Sequence, residues 1–155
     1  MIFRKAQKTD LKAIVEMLAN DPLGALREDV KYPEKYERAF DLIDQDPNQE
    51  LMVVEDDKAE VIGTFHLTFI QYLTHQGSIR AQIESVRVRE NQRGQGIGEK
   101  MFQWAVDRAK DKGAQLVQLT SDKKRPDAIR FYERLGFVAS HEGMKKVISN
   151  QEVIR

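Results

Sequence analysis

The sequence predicts a mixed α/β (α+β) fold, a mostly antiparallel twisted sheet flanked by helices, and three observations carry that expectation. Segments of period two and of period 3.6 follow one another in the order β α α β β β α β α β β. Three strand-like segments run consecutively in the middle, as in an antiparallel meander, and a β-α-β unit follows in the second half. The 155 residues suffice for one core and show no repeat, linker or low-complexity tract, so a single domain over 1–155 is expected.

The elements follow in order. Residues 2–6 read as a short strand. Thr9 or Asp10 can cap a helix with Leu11, Ile14, Val15 and Leu18 on one face, which should stop near Asp21-Pro22. After the loop with Gly24, Pro33 suits a first helical turn, and Tyr36, Phe40 and Ile43 continue an apolar stripe to Asp46-Pro47. Leu51-Met52-Val53-Val54, the Asp56-Asp57-Lys58 turn and the run Val61 to Leu73 read as strand, hairpin and longer strand. Another strand is expected from Ser78 to Arg89. A helix from about Gly96 to Lys112 carries Met101, Trp104, Ala105 and Ala109 at helical intervals, with Gly113 to end it. Ala114 to Thr120 suits a strand and Pro126 to Leu135 a helix. Gly136-Phe137-Val138 and Met144 to Ile148 suggest closing strands.

Composition excludes several chemistries. There is no cysteine, so disulfides and thiolate metal sites are absent. No apolar run from Met1-Ile2-Phe3 onward is long enough for a signal peptide or membrane span, which points to a cytoplasmic protein without a membrane partner. With 25 basic and 25 acidic residues the net charge is zero, so no nucleic-acid partner is expected. The distribution is polar: residues 1–60 hold 9 Lys+Arg against 15 Asp+Glu, a net of −6, and residues 61–155 hold 16 against 10, a net of +6. That is either scatter on a mixed surface or the mark of an anionic ligand held by the second half.

Within Ser78 to Arg89 the apolar residues occupy odd positions, Ile79, Ala81 and Ile83, and then even ones, Val86 and Val88. A change of parity at Glu84-Ser85 is what a β-bulge produces by inserting one residue. A strand buried on both faces would also permit it. A bulge would splay the strand from its neighbour and free backbone groups for an extended ligand such as pantetheine. If the strand is buried, the Glu84 carboxyl is desolvated and its pKa rises, a setting for a general base.

Asn91-Gln92-Arg93-Gly94-Gln95-Gly96-Ile97-Gly98 follows immediately. Its glycines let the backbone curl around a ligand, and a helix start offers free N–H groups to phosphates, with Arg93 as a charged donor. A dinucleotide G-x-G-x-x-G from Gly94 would need glycine where Glu99 stands, and a Walker loop would also need Ser or Thr where Met101 stands. Neither pattern is met. The loop is a phosphate cradle or simply a tight strand-to-helix connection.

Arg93-x-x-Gly96-x-Gly98, preceded by a Val86-x-Val88 strand, resembles the R/Q-x-x-G-x-G/A signature of the GCN5-related N-acetyltransferase (GNAT) family. Ala128-Ile129-Arg130-Phe131-Tyr132-Glu133-Arg134-Leu135-Gly136-Phe137, about thirty residues downstream, resembles the family's second signature, A-x-x-F/L-Y-x-x-x-G-F. The resemblance implies the acyl-CoA N-acyltransferase fold, with strands four and five splayed and acetyl-coenzyme A (acetyl-CoA) between them. It implies transfer of an acetyl group to a primary amine by direct attack in a ternary complex. Cofactor contacts fall on Val86, Arg87, Val88 and the loop Arg93, Gly94, Gln95, Gly96, Ile97 and Gly98. Near Val86 a backbone N–H would polarise the thioester carbonyl.

By the same resemblance Tyr132 is the candidate acid for the departing thiolate, although Ala128, Phe131, Tyr132 and Leu135 also form a core stripe by spacing. Glu84 is the candidate base, direct or through water, unless it is a surface carboxylate paired with Arg80, Arg87 or another cation. His66 and His75 are substitutes for that role, and both suit packing or turns. His141 reads as a loop residue. Many relatives carry asparagine three residues before the signature alanine; Arg125 stands there, so Asp122-Lys123-Lys124-Arg125 meets a cofactor phosphate or is solvated. Tyr32, Tyr36 and Phe40, with the negative first segment, favour a cationic amine acceptor, though their spacing of four also suits a core stripe. Relatives are commonly dimers, so the resemblance admits a homodimer, while the residues themselves do not fix the oligomeric state. A non-catalytic acyl-CoA sensor or assembly module is the alternative from another class.

Overall fold

The computed structural model describes residues 1–31 and 33–149. They form two compact units, Met1–Gln118 and a second beginning at Leu119. The first runs β1 (Ile2–Lys5), α1 (Leu11–Ala19), α2 (Gly24–Arg27), α3 (Pro33–Gln45), β2 (Gln49–Glu55), β3 (Val61–Gln71), the turn-like α4 (Thr74–Gly77), β4 (Ile79–Val88), α5 (Ile97–Asp111) and β5 (Ala114–Gln118). The five strands lie in chain order in one sheet. Pairs from β1 to β4 are antiparallel and the β4–β5 pair is parallel. This is the mixed, mostly antiparallel architecture expected from the order of segments.

Alternation assigns the two sheet faces. Phe65, Leu67, Ala81 and Ile83 share one face and are buried there. Trp104 of α5 stacks on Phe3 at 5.7 Å and meets Phe65 edge-on at 5.7 Å, so α5 covers this face. Met101, Phe102, Ala105 and Ala109 form its buried stripe. The Arg108 guanidinium closes the layer by donating to both oxygens of the buried Glu50 carboxylate, at 2.5 and 3.0 Å. On the opposite face α1 and α3 bring Ile14 and Phe40 against Ala6 and Val53, with Leu11, Leu18 and Leu51 around them.

Asp10 works backwards from its expected capping role. Its carboxylate accepts from the Gln7 amide at 2.7 Å and from both Arg4 guanidinium nitrogens, at 2.7 and 3.0 Å. The loop holding Gly24 makes the single turn α2. A Cβ at Gly24 would stand 1.8 Å from the Leu18 carbonyl oxygen, so only glycine lets the chain pass there.

The second unit holds α6 (Pro126–Arg134), which starts from Arg125 at its N-cap position. Gly136, at φ 91°, turns the chain out of it. The closing strands expected at residues 136–138 and 144–148 do not form. Val138, Met144 and Ile148 are exposed, and among the described residues these segments have no ladder partner. Strand preference expresses itself only on a surface that receives it. Among the described residues no helix is long and apolar enough to cross a membrane.

Candidate active site

The parity change in β4 is a bulge. Thr64 pairs with Arg87 and His66 with Glu84, so Phe65 alone faces both Ser85 and Val86. Ser85 sits at φ 55°, the left-handed region that a bulged residue adopts and that favours glycine. One inserted residue returns Val86 and Val88 to the α5 face already occupied by Ile79, Ala81 and Ile83. The alternative of a strand buried on both faces does not hold, because Glu84 and Ser85 are exposed.

On its other edge β4 pairs with β5 only as far as Gln82–Gln118. Gln118 Nε2 donates to Gln82 Oε1 at 3.0 Å, and Gln82 Nε2 donates to Glu84 Oε1 at 2.5 Å. Beyond that rung, from Glu84 to Val88, the edge of β4 has no ladder partner among the described residues. Backbone groups of this half-strand face the gap where β5 has ended.

The glycine loop begins directly after. Gly94 and Gly96 have φ of 77° and 75°, and α5 starts at Ile97 with Gly96 at its N-cap. Both turns need the left-handed region, and a Cβ on either glycine would point into open space rather than into protein. Among the described residues the amides of Gly94 to Gly98 have no backbone acceptor, as the first amides of a helix require. Ile97 buries its side chain in the core, so only its backbone is available to a ligand. Arg93 reaches back, donating to the Val88 carbonyl at 3.2 Å and the Asn20 carbonyl at 3.3 Å. These bonds tie the loop to β4 and to the end of α1.

Several expectations change in detail. Glu84 is not desolvated; it is exposed and hydrogen-bonded to Gln82. Arg87 is not its partner, because the guanidinium pairs with Asp21 at 3.0 Å. Arg80 lies over the Tyr72 ring at 4.3 Å. The less exposed member of the cross-strand pair is His66, which is half-buried. Burial pushes its imidazole below the usual histidine range, with Glu84 opposing, and among the described residues its buried Nε2 has no hydrogen-bond partner.

His66 also borders a cavity of about 130 Å³ between α1, α3 and the sheet, lined as well by Thr64, Ser85, Tyr36 and Phe40. Tyr36 donates to Glu28 at 2.8 Å and accepts from the Asp29 amide at 2.8 Å, while Phe40 belongs to the core. Tyr32 lies outside the described residues. Sequence reasoning passed over Ser85 and gave His66 second place. The signal for His66 was there: Phe65, Leu67 and Phe69 alternate with Thr64, His66 and Thr68, which sets the histidine on the face away from α5.

In the second unit the Tyr132 ring packs edge-on against Phe131 at 5.6 Å and Phe137 at 6.2 Å, and its carbonyl accepts from the Phe137 amide at 3.0 Å. The ring is partly buried. Arg125 accepts through its carbonyl from Ala128 and Ile129, at 3.1 and 3.3 Å, and its own amide donates to Asp122. Glu84, the bulge and the loop therefore lie together in the first unit, and Tyr132 and Arg125 lie in the second.

Residues 12–137 match the model of the acetyltransferase (GNAT) family. An aminoalkylphosphonate N-acetyltransferase of Salmonella typhimurium is 36% identical over 89 residues, 57% of either chain. The match thus spans little more than half the length of that relative. The crystal structure of a transcriptional regulator from Bacillus halodurans is similar over 95% of this chain and 99% of that one, with a TM-score of 0.90 and 50% identity. A Clostridium acetobutylicum protein solved with acetyl-CoA shares the fold at a TM-score of 0.74 and 18% identity, over 95% of this chain and 96% of that one.

Proposed function

The chain belongs to the acetyltransferase (GNAT) family, and from that premise we propose that it is an N-acetyltransferase moving acetyl from acetyl-CoA to a primary amine in a ternary complex. One observation carries the reading: past the bulge at Ser85 the β5-side edge of β4 lies without a ladder partner among the described residues, directly ahead of a loop with two left-handed glycines that opens a helix. That sequence of features suits a thioester at one end and a pyrophosphate at the other.

In this reading the amides of Gly94 to Gly98 receive the pyrophosphate with Arg93 as a charged donor, and Arg125 is assigned to a cofactor phosphate. Backbone groups of Val86, Arg87 and Val88 pair with pantetheine as an added strand would. The Val86 N–H holds the carbonyl oxygen as charge grows on it. The acceptor arrives as an ammonium ion, and Glu84, directly or through water, removes its proton. The nitrogen then attacks the carbonyl carbon, the C–S bond breaks, and Tyr132 protonates the thiolate. Family matching across both units supports one working domain over 1–155. A cytoplasmic homodimer without nucleic-acid or membrane partners completes the proposal.

A second reading, a non-catalytic acyl-CoA sensor, draws on the 50% identity with the Bacillus halodurans regulator. Calorimetric titration with acetyl-CoA tests the cradle common to both readings. Gly96→Val should raise the dissociation constant at least tenfold, because a branched side chain both strains φ 75° and fills the space of the ligand. An unaltered constant would contradict the assignment.

A further inference from the structure

Resting on the transferase reading, we propose that the acceptor is a monoamine on a compact, uncharged apolar group, seated in the cavity between α1, α3 and the sheet with its nitrogen at His66. Among the described residues the lining contains no Lys, Arg, Asp or Glu. Nothing there would receive a phosphonate, a carboxylate or a second ammonium group. At about 130 Å³ the space approaches that of an apolar cavity which takes a benzene ring, roughly 150 Å³. A phenyl or a branched chain of a few carbons therefore marks the upper size.

Orientation follows from the polar atoms. The Thr64 hydroxyl is occupied, donating to the Met52 carbonyl at 2.9 Å, and Tyr36 is held by Glu28 and Asp29. Among the described residues His66 Nε2 is buried without a hydrogen-bond partner, a state that costs stability. His66 and Ser85 stand at the bulge, where the proposed thioester carbonyl lies, and side chains of α1 and α3, mostly apolar, line the rest. An amine entering tail first places its nitrogen between His66 and the bulge.

The chemistry closes on these groups. Burial disfavours the imidazolium, so the neutral ring accepts one proton from the ammonium, and exposed Glu84 across the ladder favours the imidazolium and passes the proton to solvent. The nitrogen lone pair forms the C–N bond and the C–S bond breaks. A second nitrogen proton balances the one the thiolate takes up. The products are the amide, free thiol and one proton. His66 is thus the catalytic residue that takes the proton in place of Glu84, and Glu84 acts through it. The titratable groups facing it are Glu84 from β4 and Tyr36 from α3; α1 and β2 present aliphatic side chains to the cavity.

The test uses the full chain, acetyl-CoA and four amines: benzylamine, isoamylamine, 2-aminoethylphosphonate and 1,3-diaminopropane. We expect kcat/KM at least tenfold higher for the first two. Ala39→Phe, on the exposed side of α3 at the cavity, should raise KM for isoamylamine about tenfold without lowering the melting temperature. His66→Gln should lower kcat about a hundredfold and remove the acidic limb of the kcat/KM profile, which in the wild type lies below the ordinary histidine range. Acetylation with the opposite preference, or with none, overturns this inference and leaves the transferase reading intact; so does a His66→Gln profile identical to wild type. Failure to acetylate any amine overturns both.

Discussion

Two residues of the candidate site carry distinct tests. Tyr132 packs between Phe131 and Phe137, so removing its hydroxyl leaves the ring contacts in place. Tyr132→Phe should therefore slow single-turnover transfer by about 10²-fold, within the usual range for a lost general acid, with acetyl-CoA affinity unchanged; an unaltered rate would assign the ring to packing alone. Ser85 tests the bulge. It holds φ 55° without being glycine, a conformation that costs about 1–2 kcal/mol. Ser85→Gly should raise the denaturation midpoint, while Ser85→Val should lower stability by at least 1 kcal/mol and disrupt acceptor turnover together with it. Equal stability of the two variants would mean that the bulge can relocate.

At the scale of elements, α5 matters because its first turn is the proposed cradle and its last turn is anchored to β2. Burial pushes the Glu50 carboxyl upward, but hydrogen bonds and charge from Arg108 outweigh it and hold the pKa below the usual carboxylate range. A depressed folded pKa stabilises above the ordinary carboxylate value and is lost as pH falls through the folded value. Arg108→Ala leaves the buried Glu50 with Lys112 at 4.0 Å as its remaining cation, so it should cost about 1–3 kcal/mol at neutral pH. Thermal melts should show the gap between wild type and variant narrowing below pH 4. A constant gap would place the loss in packing instead. The parity of β4 was legible because Ile79, Ala81, Ile83, Val86 and Val88 all serve one face. Val138 and Met144 to Ile148 misled, because β-branched character says nothing about whether a ladder partner is present.

Across the whole molecule, the glycine loop and its helix could be placed from sequence because φ above zero and the helix start are local requirements that Gly94, Gly96 and Ile97 state directly. Which acidic or basic group is buried is not local. Glu84 and His66 share a face and a rung, yet their different exposure depends on α1 and α3 closing over one of them. Charge bias in the first sixty residues suggested a cationic acceptor; the cavity those residues help to build is uncharged. The two facts agree for an acceptor whose charge is confined to its ammonium group. Free thiol release from acetyl-CoA, followed together with the mass of the acetylated amine, tests the central claim most directly. The account predicts saturable, amine-dependent thiol release matched one to one by amide product. Tight binding of acetyl-CoA with no amine-dependent thiol release would contradict it.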